Sequence, residues 1–123
     1  MGKPYKTTKD TYKITENLKN HLPTRKYWKL RHQFVSEKMG IVMPPSVKIG
    51  TGFAIYHING IVINGEAEFG DNCSVLQQVT VGNSRSGRVP MIGNDCQLLA
   101  GAKIIGDVKL GDGSTVGAGA VVI

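Results

Sequence analysis

The residue of this chain best suited to chemistry is His57, in Gly52-Phe-Ala-Ile-Tyr-His57-Ile-Asn-Gly60. A neutral imidazole accepts a proton near physiological pH, so it suits a general base. The other two histidines, His21 and His32, fall where the patterning is helical, and a surface or packing role is expected of them. No Ser or Cys is placed as an obvious covalent nucleophile. Two cysteines, Cys73 and Cys96, with no clustered histidines, give no metal motif. His57 gains weight from its place in a repeat. Counted by whole turns of that repeat, His57, Gln77, Ala100 and Ala118 share one column. Small side chains there leave a shallow slot, where an extended ligand could lie against exposed backbone amides. A tight corner alone would favour the same alanines.

The repeat is one of six residues. Ile92, Leu98, Ile104, Leu110, Val116 and Val122 return at every sixth position, and small residues fill fixed places between them. Helices repeat near 3.6 and strands alternate at 2, so neither explains it. A hexapeptide parallel β-helix does: each hexad is a short strand plus a corner, and three hexads close a triangular coil. Ile63, Phe69, Val75 and Val81 form a second run, separated from the first by five inserted residues within Asn83–Pro90. Before Ile63 the register shifts by two and picks up Ile49, Ile55 and Ile61. The position four after each aliphatic reads Phe53, Asn59, Ala67, Cys73, Val79, Cys96, Ala102, Val108, Ser114 and Ala120, mostly small, as tight corners need. Asp71-Asn72, Asn94-Asp95 and Asp112-Gly113 are turn pairs in matching places. The spacing predicts a mainly β fold of about four coils over residues 41–123, with Cys73 and Cys96 as inward-pointing, unlinked neighbours.

Residues 1–40 must then be an extension that closes the first coil. They read as a disordered start (1–10), a short helix from Asp10-Thr11 to Leu22 with Ile14 and Leu18 on one face, and a second helix from Arg25 to Met39. Tyr27, Trp28, Leu30 and Phe34 are expected to pack inward, and Gly40 to end the helix. A solenoid needs such a cap because its terminal coil exposes strand edges and core. At the other end Ile123 carries no polar cap; either the chain is cut short there or another chain covers it. Charge divides the same way. Residues 1–48 carry eleven Lys or Arg against three acids, and residues 49–123 four against six. A basic arm could attract phosphates, a polyanionic glycan or an anionic membrane surface, or be simply a solvated helical face, and no nucleic-acid motif accompanies it. The N-terminus has no apolar stretch for a signal peptide and no segment spans a membrane, so a cytoplasmic protein is expected.

Gly60-Ile-Val-Ile-Asn64, Leu76-Gln-Gln-Val-Thr-Val-Gly82 and Leu99-Ala-Gly-Ala-Lys-Ile-Ile-Gly106 resemble the serine O-acetyltransferase branch of the left-handed β-helix acyltransferases. The resemblance implies left-handed coils and a homotrimer with acetyl-CoA in the groove between subunits. It places Gly82, Asn83, Ala100 and Ala118 along that groove and makes His57 the catalytic base. Arg88-Val89-Pro90 matches an Arg-His-Pro triplet whose Arg binds the acceptor's carboxylate. Arg88, Tyr56 and Gln77 are therefore the expected acceptor-binding residues. Three positions depart from the pattern: Val42 and Tyr56 stand where the family has Asp, and Val89 where it has a second His. The loop around Arg85 to Arg88 is shorter, and the long helical N-terminal domain and C-terminal tail have no counterpart. The Tyr-His turn and basic arm are instead similar to relatives that O-acetylate sugars of surface polysaccharides.

The expected reaction is direct acetyl transfer from acetyl-CoA to a hydroxyl, with His57 as base and no metal. A sugar of a surface or capsular glycan is the first acceptor considered and serine the alternative. A non-catalytic trimer-forming module is the third reading.

Overall fold

The computed structural model describes residues 25–123, with side chains from Leu30 onward. Helix α1 (Arg25–Met39) leads into thirteen short strands. The first coil holds β1 (Ile41–Val42), β2 (Lys48–Ile49) and β3 (Ala54–Ile55). The second holds β4 (Ile61–Ile63), β5 (Glu68–Phe69) and β6 (Ser74–Val75). The third holds β7 (Thr80–Gly82), β8 (Met91–Ile92) and β9 (Gln97–Leu98). The fourth holds β10 (Lys103–Ile105), β11 (Lys109–Leu110) and β12 (Thr115–Val116), and β13 (Val121–Val122) begins another turn. Every third strand pairs in parallel, giving three sheets: β1-β4-β7-β10-β13, β2-β5-β8-β11 and β3-β6-β9-β12. These are the three sides of a prism, the expected mainly β solenoid of about four coils.

The six-residue period is the core. Ile55, Val75, Leu98 and Val116 stack down one side, and Ile63, Val81, Ile104 and Val122 down another. Between them Ala67, Cys73, Val79, Cys96 and Ala102 fill the corners and are buried. Both cysteines are free. Each donates its thiol to a carbonyl of the next coil, Cys73 Sγ to Gly93 O at 3.0 Å and Cys96 Sγ to Gly111 O at 3.2 Å.

The corner between the second and third sheets is stitched by side chains. Thr51 N donates to Asp71 Oδ1, Asp71 N to Asn94 Oδ1 and Asn94 N to Asp112 Oδ1, at 2.7–2.8 Å. Glycine lies beneath each rung, at Gly50, Gly70 and Gly93. A Cβ at Gly70 would stand 2.8 Å from both Asn94 N and Gly93 C. Coils spaced about 4.8 Å apart leave no room for it.

Helix α1 has the expected bounds. Gly40 ends it with φ +62°, its N–H bonded to Glu37 O at 3.3 Å. Its orientation differs from expectation. Leu30 and Phe34 are 62% and 60% exposed, and Lys38 Nζ lies 5.0 Å from the Phe34 ring centroid. The face turned to the coil is His32, Val35, Ser36 and Met39, spaced three and four apart. The chain must enter β1 through Met39 and Gly40. That fixes Met39 in the core and its i−3, i−4 and i−7 neighbours beneath it, leaving the more apolar Leu30 and Phe34 outside. Tyr27 and Trp28 lie outside the residues described in side-chain detail, and the helix expected over Asp10–Leu22 and the start expected over 1–10 lie outside the described residues. Helix α1 packs on β1, the edge strand of the first sheet.

Candidate active site

The corner joining the third sheet to the first carries His57, and the two-residue register shift has a structural meaning. From inward Val75 to inward Val79 the later corner runs through Leu76, Gln77 and Gln78. In the first coil the same path, Ile55 to Ile61, takes five residues, Tyr56 through Gly60. The corner therefore bulges. Tyr56 N still bonds Val75 O at 3.1 Å, and the ladder resumes at Asn59, whose N–H reaches Met39 O at 3.0 Å. Ile58 packs against the core, which turns His57 outward and leaves it exposed. Asn59 adopts φ +83° and Gly60 φ +69°, the left-handed turns that bring the chain back into β4.

The bulge changes the column expected from the sequence. Gln78 N donates to Asn59 O, Gly101 N to Gln77 O and Gly119 N to Ala100 O, at 2.8–3.0 Å. The stacked set is thus Asn59, Gln77, Ala100 and Ala118. His57 stands two residues earlier, on the protruding part of the same corner. Counting forward from β3 misplaces it because the extra residues sit inside the corner. Ala100 is half-buried and Ala118 exposed, with glycines beside them at Gly101 and Gly119. They form a shallow edge with little side chain above the backbone. Gln77 Oε1 is buried there without a hydrogen-bond partner. Tyr56 is half-buried at the root of the bulge.

Gly82, Asn83 and Arg88 lie on the opposite edge of the first sheet, at its corner with the second. Gly82 stands four residue steps from Gln78, about 13 Å of extended chain. Here the inserted loop leaves the prism. Gly87 N bonds Ser84 O at 2.9 Å and Ser84 N bonds Arg88 O at 3.2 Å, closing the loop into a compact turn. The loop rests on Gly106, where a Cβ would meet Ser84 Cβ at 3.0 Å. Gly106 N holds Gly82 O at 2.9 Å. The Arg88 guanidinium is ion-paired with Asp107 on the next coil, both well exposed. An exposed pair of this kind is worth about 0–1 kcal/mol, so another carboxylate can displace Asp107 at small cost. The chain therefore gathers His57, Tyr56, Gln77, Ala100 and Ala118 at one edge and Gly82, Asn83 and Arg88 at the other.

Two residues were not singled out in the sequence. Asn59 has a side chain at the foot of the column; its signal was a polar residue at a normally small, buried phase. Lys103 is exposed on the outward face of the first sheet, between the two edges, in register with Thr80 and Val121. Among the described residues no group of three His, Cys, Asp or Glu is arranged to hold a metal ion. No helix among them is long and apolar enough to cross a membrane.

Residues 90–123 match the family model for the bacterial transferase hexapeptide, six repeats. Over 87 residues, 68% of the chain, it is 40% identical to a serine acetyltransferase of Bacillus subtilis (strain 168), and it spans 40% of that relative's length. It also superposes on the crystal structure of serine acetyltransferase from Vibrio cholerae O1 biovar El Tor N16961. The TM-score is 0.79 at 30% identity, over 92% of this chain and 45% of that one. A serine acetyltransferase from Brucella abortus strain S19, solved in complex with coenzyme A, gives 0.77 at 27% identity, over 91% of this chain and 46% of that one. The fold is the left-handed parallel β-helix of those enzymes; coils wound the other way would not overlay. These relatives are serine acetyltransferases, and they do not show the nearness to polysaccharide O-acetyltransferases expected from the Tyr-His turn.

Proposed function

We propose that residues 41–123 are the catalytic β-helix of an acetyl-CoA-dependent O-acetyltransferase, with residues 1–40 as its cap and serine as the acceptor. The observation that carries this is the bulged corner. It holds one exposed imidazole beside a column of small residues, on a scaffold whose relatives are serine acetyltransferases. This acceptor replaces the surface glycan that the sequence placed first, because the similarity to serine acetyltransferases favours it.

His57 removes the proton of the acceptor hydroxyl as that oxygen attacks the thioester carbon. The new C–O bond forms, the C–S bond breaks, and the thiolate of CoA leaves and takes up the proton. Backbone N–H groups of the corner stabilise the tetrahedral oxyanion. The low edge at Ala100 and Ala118 gives the pantetheine arm an extended seat against backbone. Gly82 and Asn83 belong to the opposite edge, and a homotrimer would bring that edge of one copy beside the His57 corner of its neighbour. Arg88, released from Asp107, would take the serine carboxylate.

One set of observations favours a second acceptor, a neutral sugar hydroxyl. Val42, Tyr56 and Val89 stand where the resemblance calls for Asp, Asp and His, so the ammonium of serine lacks these carboxylates. A sugar needs none, and Tyr56 offers a ring face.

The test is release of free CoA from acetyl-CoA with serine and, separately, a panel of saccharides. Acetylation of serine supports the proposal. Acetylation of sugars alone moves it to the second reading, and absence of transfer to either refutes both. General-base catalysis contributes about 10²–10⁴ in rate. His57→Ala should lower kcat by that factor and leave acetyl-CoA affinity unchanged.

A further inference from the structure

The corner that carries His57 belongs to a column of left-handed residues. In register from coil to coil, Gly40, Gly60, Gln78, Gly101 and Gly119 stand one above another, with φ between +58° and +72°. Four of the five are glycine, which adopts this conformation freely. Gln78 is the exception, at φ +58°. A side chain held there crowds the backbone carbonyl, and the residues that tolerate it best are Asn and Asp, whose short side chains bond locally. Gln78 gains nothing of that kind. It is exposed, and its carboxamide makes no hydrogen bond among the described residues. Neither burial nor a local bond explains a long polar side chain in a glycine's place. Backbone strain of this sort collects at functional sites, where the side chain is needed.

The direction of the side chain says what it could serve. A Cβ built on Gly60 would stand 3.0 Å from Gln78 Cγ but 3.7 Å from Gln78 Cβ. The side chain therefore leans onto Gly60, the last residue of the His57 corner, rather than toward Ala100 and Ala118. That is the acceptor's side of the corner and not the seat of the pantetheine arm. Val42, Tyr56 and Val89 leave the ammonium of a bound serine without the expected carboxylates. A carboxamide oxygen accepts hydrogen bonds from an ammonium.

We propose that Gln78 is an acceptor-binding residue, its Oε1 taking a hydrogen bond from the serine ammonium. This rests on the acetyl-transfer reading and adds to it one side chain that holds the substrate.

Initial rates and Tm of the wild type, Gln78→Gly, Gln78→Ala and Gln78→Glu test it. Loss of one hydrogen bond to a charged group should raise the serine KM about tenfold in the Gly and Ala variants alike, with the acetyl-CoA KM unchanged. Gln78→Glu keeps the length and an oxygen, and its serine KM should be no higher than that of the wild type. Tm separates backbone from side chain. Gln78→Gly relaxes the left-handed backbone and should raise Tm by about 2–5 °C, whereas Gln78→Ala should not. An unchanged serine KM in both truncations, a rise confined to one of them, or an equal rise in the acetyl-CoA KM overturns the proposal and leaves the acetyl-transfer reading standing. A fall of Tm in Gln78→Gly would mean that Gln78 serves the fold, and also overturns it. Wild-type protein that does not acetylate serine defeats the reading itself, and the proposal with it.

Discussion

Replacing Gly70 by alanine should unfold this chain far more easily than making the same change at Gly111. The two glycines occupy equivalent places two coils apart, and neither has positive φ, so alanine is conformationally acceptable at both. They differ in what lies above. At Gly70 the added methyl would stand 2.8 Å from Asn94 N and Gly93 C, where ordinary contact begins at 3.4 Å. The coils must open by about 0.6 Å there, which overpacks a rigid backbone stack at about 1–3 kcal/mol. Opening also stretches the Asp71 N to Asn94 Oδ1 bond and the Gly70 N to Ile92 O bond, both 2.8 Å. Losing one of them adds about 1 kcal/mol. The total is about 2–4 kcal/mol, a Tm drop of at least about 8 °C for a domain of this size. At Gly111 nothing lies within 4 Å, and alanine should be neutral or gain about 0.4–1 kcal/mol from the unfolded state. Thermal unfolding of both variants by circular dichroism decides it. Equal Tm changes would refute the argument that coil spacing, rather than backbone conformation, demands these glycines.

If serine is the acceptor, Arg88→Gln should raise its KM with little change in kcat, while any transfer to a neutral sugar stays as it was; initial rates over both acceptors check this. Asp107→Asn, by freeing the guanidinium, should lower the serine KM. Burial holds the His32 pKa below 6.5. The unfolded chain then takes up that proton first, so this contribution is present above pH 6.5 and lost as pH falls through the folded pKa. Tm measured from pH 7.5 to 5 should decline, and His32→Gln should flatten the decline. Burial likewise raises the Cys73 thiol above 9.0. Its labelling by a thiol reagent at pH 8 should be slow in the folded chain and fast in urea, and fast labelling of the native protein would contradict the buried placement.

The sequence by itself determined the prism. A period of six places an aliphatic on the inside of every side, and the buried stacks of Ile55 and Ile63 follow from nothing else. It also gave the end of α1 at Gly40, the corner pairs that became the Asx ladder, and the inward cysteines. His57 was legible as the exposed imidazole because only one histidine interrupts the repeat.

Tertiary structure decided what depends on pairing between coils. The shift of two residues before Ile63 was visible, but its location was not. The pairing of Ile55 with Val75 and of Ile63 with Val81, and the bond from Gln78 to Asn59, show that the extra residues lie inside the His57 corner, so that Asn59 and not His57 stands beneath Gln77. The facing of α1 was missed for a related reason. Local hydrophobicity favoured Leu30 and Phe34, whereas the helix phase is set by where Met39 must enter β1, a constraint from outside the helix. The pairing of Arg88 with Asp107 joins residues on different coils. Periodicity reports which residues face inward, because that is a one-dimensional property of the chain. What stands next to what across a gap of twenty residues is settled by the stacking.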